Sequence, residues 1–175
     1  NIVTVDDGDK LDLGKHKLNF YTIPMVHWPE SMVTFDSSTG ILFSNDAFGS
    51  FGTLDGGVFD DEINLSFYEE EIMRYFTNIV GKYCPHTQRA LKKLEGIEIK
   101  QIAPSHGIIW RKDLNYILAR YQKWSSYQSE EGVVIVFGSM YGNTEKMADA
   151  IARELSVAGI KNIKFFDVII NYCVI

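Results

Sequence analysis

Five consecutive apolar residues, Val133-Val134-Ile135-Val136-Phe137, lead into Gly138-Ser139-Met140-Tyr141-Gly142-Asn143-Thr144-Glu145 and then into Met147, Ala148, Ile151, Ala152 and Leu155 at helical spacing. A run that is apolar on both of its alternating faces predicts a strand covered from two sides, the habit of parallel sheets with helices packed over them. This stretch therefore restricts the chain to the α/β class. The loop offers free backbone N–H groups, the Ser139 and Thr144 hydroxyls and the positive end of a helix dipole, a combination that holds a phosphate without any lysine. It is neither a Walker loop, since no Gly-Lys-Ser/Thr follows, nor a G-x-G-x-x-G turn. The plain alternative is a βα turn that binds nothing. Gly159 ends the helix, and Ile163 to Phe166 is expected to form the next parallel strand.

The first two thirds of the chain carry a different signal. Met32 to Phe35 and Ile41 to Ser44 read as strands around the turn residues Asp36-Ser37-Ser38-Thr39-Gly40. Antiparallel pairing brings His27, before the first strand, and Asp46, after the second, to the same open end of the hairpin. An imidazole beside a carboxylate is half of a metal site, or else a pair of strand caps. Upstream, Ile2 to Val5 and Leu18 to Ile23 read as short strands, with His16 a solvated loop histidine between them. In Phe48 to Gly57, four glycines (Gly49, Gly52, Gly56 and Gly57) alternate with rings that either face the core or wall a dry pocket for a small apolar substrate.

Ser66 and Glu69 have capping-box spacing, and Ile72, Phe76, Ile79, Val80 and Tyr83 continue at helical spacing, predicting one amphipathic helix. Glu69-Glu70-Glu71 suits its first turn. A second helix is expected over Pro85 to Leu94, with His86 exposed and a metal role through Cys84 a minor alternative. Ile97, Ile99 and Ile102 predict a strand running into Ala103-Pro104-Ser105-His106-Gly107, a second histidine at a strand end. Proline and glycine around His106 fix the backbone where it leaves the sheet. A third helix is expected over Asp113 to Trp124, and the polar Ser125 to Gly132 reads as a domain boundary.

With 175 residues, 46% of them apolar, the chain has ample material for a packed core. A net charge of -6 argues against nucleic acid or an anionic membrane surface as partner. Cys84 and Cys173 form no C-x-x-C and no disulfide framework, which suits a reducing cytoplasm. The opening, with Asp6, Asp7 and Asp9, is no signal peptide.

HWPES at His27 to Ser31, SNDAFG at Ser44 to Gly49 and PSHG at Pro104 to Gly107, followed by SMYGNTE at Ser139 to Glu145, resemble the flavodiiron proteins, or A-type flavoproteins, over about Ile2 to Asp167. The resemblance implies the C-terminal part of a metallo-β-lactamase-like αββα domain over residues 1–126, then the first βαβ of a flavodoxin-like domain over 132–175. It implies a non-haem di-iron centre in the first and FMN in the second. The complete proteins reduce dioxygen to water, nitric oxide to nitrous oxide, or both. Position by position, it implies His27 and His106 as terminal ligands on different irons, Asp46 as the carboxylate bridging them, and Ser139, Met140, Tyr141, Gly142, Asn143 and Thr144 as the loop holding the FMN phosphate. It implies no catalytic side chain beyond the metal ligands. Electrons would come from a rubredoxin-like or flavin-reductase donor, and the flavin would lie near the iron pair of the opposite subunit of a head-to-tail dimer.

The sequence also departs from that family. No upstream H-x-E-x-D-H segment is present, and three ligands out of about seven do not close a two-iron site. After Asp167, VIINYCVI drops the likeness. Together with the start at Asn1, this leads to the expectation of an internal piece, inactive alone. Two other readings stay open: a zinc-dependent hydrolase of the same superfamily, against which SMYGNTE speaks, and a non-catalytic FMN carrier or structural relic.

Overall fold

The computed structural model describes residues 2–169; Cys173 and the end of the VIINYCVI stretch lie outside them. The chain divides into two compact units between Gln128 and Ser129. Strands β1 (Lys10–Asp12), β2 (Lys17–Thr22), β3 (Met32–Asp36) and β4 (Ile41–Asn45) of the first unit pair antiparallel in succession, and β5 (Gln101–Pro104) joins β4 in parallel. Helices α1 (Glu69–Tyr75), α2 (Cys84–Leu94) and α3 (Leu114–Ser125) complete it. Val33, Phe35, Leu42 and Ile102 from the sheet join Ile72, Phe76, Val80, Trp110, Ile117 and Tyr121 in one buried cluster. Phe20, Thr34, Phe43 and Ala103 lie in register across the opposite face, where Phe43 is half exposed.

The hairpin and the third helix form as expected, the latter with Asp113 as its N-cap accepting from the Tyr116 N–H. Other elements differ. The first strand is Lys10–Asp12 and not Ile2 to Val5, because a tight turn with the Leu13 N–H on the His16 carbonyl lets Lys10–Asp12 zip directly onto β2. His16 is not free in solvent: its Nδ1 lies 2.6 Å from the Asp36 carboxylate. The capping box does not form. Asn64 takes the Ser66 N–H, and the Glu69 carboxylate turns to the Arg120 guanidinium on α3, a charge-assisted partner stronger than a backbone amide.

The helix predicted from Glu69 to Tyr83 passes through a π-helical turn (Phe76–Val80) and a 3₁₀ turn (Gly81–Tyr83). The wider turn lets Phe76 and Val80 sink into the core while Tyr75 and Ile79 line a cleft. Strand β5 begins only at Gln101, because β4 first offers a partner there, Ile41, which leaves Ile97 and Ile99 outside the sheet. The Cys84 thiol is buried and donates to the Gly81 carbonyl, while His86 Nδ1 sits against the Pro24 carbonyl at 3.1 Å, so the alternative of a shared metal fails.

In the second unit β6 (Val133–Phe137) and β7 (Ile163–Asp167) pair in parallel around α4 (Asn143–Val157). The crossover matches expectation, but the two-sided burial does not. Val134 and Val136 are 59% and 62% exposed, since one helix covers only one face of two strands. Among the described residues no helix is long and apolar enough to cross a membrane.

Candidate functional site

Pairing of β3 with β4 places residues before Met32 and after Asn45 at one end of the sheet. Parallel pairing of β5 with β4 adds the C-terminal end of β5, with Asn45 opposite Pro104. His27, Asp46 and His106 therefore meet, although the outer two lie 79 positions apart in the chain. A bulge between Phe43 and Asn45, and the left-handed backbone of Asn45 at φ 58°, end the strand abruptly. Such irregularities re-aim a side chain at a sheet end.

The two oxygens of Asp46 face different imidazoles. His27 Nε2 stands 3.5 Å from Oδ2, and His106 Nε2 stands 3.3 Å from Oδ1. Side-chain exposure of 12% for Asp46, against 26% for His27 and 57% for His106, puts the carboxylate at the floor and the imidazoles on the walls. These separations exceed a good N–H···O bond. Two donors about 2.1 Å from one cation and about 90–110° apart stand roughly 3.0–3.4 Å from each other, so the spacing fits a cation on each side of the carboxylate. Among the described residues no three His, Cys, Asp or Glu side chains form a cluster able to hold a metal ion. Each Asp46 oxygen is thus paired with one imidazole.

The cleft above them has a volume of about 460 Å³ and includes Ser50, Phe51, Tyr75 and Ile79 in its wall. Of the rings predicted for the glycine-rich loop, Phe51 lines the cleft and Phe48 is buried in the core. Tyr75 was not foreseen. Its phenol donates to the Asp46 carbonyl at 3.1 Å, and burial, then the Asp46 charge, pushes its pKa above the ordinary range, so it stays a neutral donor. In the sequence it is one more ring in a helical stretch, and only the cleft distinguishes it. Gly107, at φ +77°, lies where a side chain would collide with Ser50: a Cβ there falls 2.0 Å from Ser50 Oγ.

Ser139 to Gly142 lie between β6 and α4, and Asn143 and Thr144 open the first turn of α4. Gly142, at φ 75°, precedes α4, and no side chain caps the helix N-terminus. Among the described residues the Ser139 hydroxyl is buried with no hydrogen-bond partner, while Met140 and Tyr141 are exposed. An uncapped helix start beside an orphaned hydroxyl fits a phosphate oxygen.

The ODP family beta lactamase pattern matches residues 1–107, and the flavodoxin pattern matches residues 135–171. A nitric oxide reductase of Moorella thermoacetica is 39% identical over 95% of this chain and 42% of its own length. An anaerobic nitric oxide reductase flavorubredoxin of Aeromonas hydrophila is 38% identical over 87% of this chain and 31% of its own. Among solved structures, the flavodiiron protein of Giardia intestinalis superposes with a TM-score of 0.87 at 33% identity, covering 95% of this chain and 41% of that one. Rubredoxin oxygen:oxidoreductase from Desulfovibrio gigas gives 0.85 at 33% identity, covering 94% and 41%. The chain thus spans well under half the length of these relatives.

Proposed function

Since the chain belongs to the flavodiiron proteins, with an ODP family beta-lactamase-like region running into a flavodoxin segment, we propose that it forms part of an oxidoreductase reducing nitric oxide, dioxygen or both. Asp46, His27 and His106 would supply three of the donors that hold two irons, the carboxylate shared between the two imidazoles. Ser139 to Thr144 hold the phosphate of FMN. The observation that carries this reading is the carboxylate flanked on its two oxygens by two imidazoles at cation-sharing distances.

Bound iron and flavin would supply the electrons that a diatomic substrate needs, chemistry no side chain here offers. The chain's own residues set the stage for it. Asp46 and the two imidazoles orient the metals. Phe51, Tyr75 and Ile79 add an apolar wall to a cleft otherwise lined by His27, Asp46, Ser50, Ser105 and His106, which suits a small uncharged gas beside polar donors. The uncapped start of α4 and the Ser139 hydroxyl take the phosphate charge. Relatives named flavorubredoxin and rubredoxin oxygen:oxidoreductase support a rubredoxin-like donor. The free, buried Cys84 suits a reducing cytoplasm. A head-to-tail dimer, and domains over residues 1–126 and 132–175 each completed by further chain, belong to the same reading.

The test is iron and FMN content of the holoprotein together with consumption of nitric oxide and dioxygen. Two irons and one FMN are expected, with iron lost on Asp46→Ala and FMN retained. Zinc without flavin would make the hydrolase the better reading.

A further inference from the structure

Besides Tyr75, the Asp46 turn is held by two side chains that never reach the cleft. Phe48, two residues on, sits in the left-handed region at φ 70°, a conformation that a bulky residue keeps only when its surroundings impose it. Both of its backbone polar groups are claimed by buried rings. The Phe48 N–H donates to the Tyr121 hydroxyl at 2.9 Å, and Trp110 Nε1 donates to the Phe48 carbonyl at 3.0 Å. Tyr121 comes from α3 and Trp110 from the segment after β5. Both are fully buried, so no water competes for either bond. The Phe48 ring also packs on Tyr121, with centroids 4.8 Å apart. Within the same turn, the Gly49 N–H bonds back to the Asp46 carbonyl, and the Ser44 hydroxyl donates to the Ala47 carbonyl.

We propose that Trp110 and Tyr121 are positioning residues for the bridging carboxylate: by locking Phe48 in its left-handed conformation they keep one Asp46 oxygen on each imidazole. The inference rests on the metal-bridging role of Asp46 proposed above. Without the Tyr121 hydroxyl, the Phe48 N–H is buried without a partner, and the turn relaxes toward an ordinary backbone conformation. That relaxation swings Asp46, two peptide units away, and unequally lengthens its reach to His27 and His106.

The test uses the holoprotein. Tyr121→Phe keeps the ring and removes only the hydroxyl; Trp110→Phe removes the indole donor. Ile117→Val, in the same helix and equally buried but absent from the turn's bonds, serves as the control for general loosening of the core. Iron release to a chelator and the magnetic coupling between the two metals are measured alongside the unfolding temperature. Tyr121→Phe is expected to release iron about tenfold faster, the scale of lost support around a metal ligand. Its coupling should shift as well, whereas Ile117→Val, destabilised to a similar degree, leaves both unchanged. Release and coupling in Tyr121→Phe and Trp110→Phe indistinguishable from Ile117→Val overturn the positioning role. An unmutated holoprotein with no coupled metal pair overturns the bridging role of Asp46 first and this inference with it.

Discussion

The Asp46 turn and the loop from Gly138 to Gly142 both gather polar groups at the end of a strand, and they are built by opposite means. The loop is local: a strand ends, Gly142 turns the chain, and α4 begins, all within a dozen residues. The turn is assembled from the whole first unit. Its imidazole partners come from residues 27 and 106, and its backbone is held by Tyr75, Trp110 and Tyr121. A phosphate needs several donors pointing roughly one way, which a helix start supplies by itself. A metal pair needs a few donors at fixed distances, and those take a rigid core to hold.

The contrast makes substitutions in the first unit propagate and those in the loop stay local. Gly107→Ala is the sharpest way to break it. A methyl group there combines positive φ with a collision at Ser50 Oγ and at the Ser50 backbone nitrogen, 2.8 Å away. We expect a loss of about 2–4 kcal/mol from clash and strain together. Chemical denaturation would measure it, and iron should be lost along with stability. A variant with native stability would mean that the Ser50 and His106 segments slide apart without cost.

Ser139→Ala tests the other half. Removing an orphaned hydroxyl costs the free protein little, yet it should weaken FMN binding about tenfold, the worth of one hydrogen bond to a charged group. Flavin fluorescence titration would read the change, with iron content unmoved. If iron fell too, the two sites would not be independent in the way described.

The smallest effect belongs to a pair outside both sites. The His16 imidazole, followed by the Thr39 hydroxyl and the Ser38 and Lys17 amides, holds the Asp36 carboxyl down at about 2 from its ordinary 3.8. A depressed carboxylate contributes its stability fully above 3.8 and loses it as the pH falls through about 2. His16→Ala should therefore lower stability at neutral pH and move the onset of acid unfolding to higher pH, while leaving both sites almost unchanged. An acid titration followed by circular dichroism would show it; an unchanged onset would mean that the amides alone hold Asp36 ionised.

Much of this was legible in the sequence, for a physical reason in each case. The β6-loop-α4 unit was readable because a period of two followed by a period of 3.6 is written in consecutive residues. The hairpin was readable because Asp36 to Gly40 can do little but turn, and it put His27 beside Asp46 before any fold was known. His106 was recognisable as a strand-end histidine, but nothing in its surroundings said which strand it would lie against. Tyr75, Trp110 and Tyr121 gave no signal beyond ordinary core aromatics. Strand Ile2 to Val5 and the capping box at Ser66 were misread because stronger partners, the turn into β2 and the Arg120 guanidinium, lay elsewhere.

By itself, then, the amino-acid sequence determined the elements whose causes are short-range: the turns, the helix faces, the phosphate-type loop and the first histidine–aspartate pair. Only the tertiary structure decided the parallel docking of β5 on β4 that carries His106 to the far side of Asp46, and the buried rings that fix the Phe48 backbone. Those contacts join residues 62 and 73 positions apart. Their strength comes from burial in a common core, which no local pattern encodes.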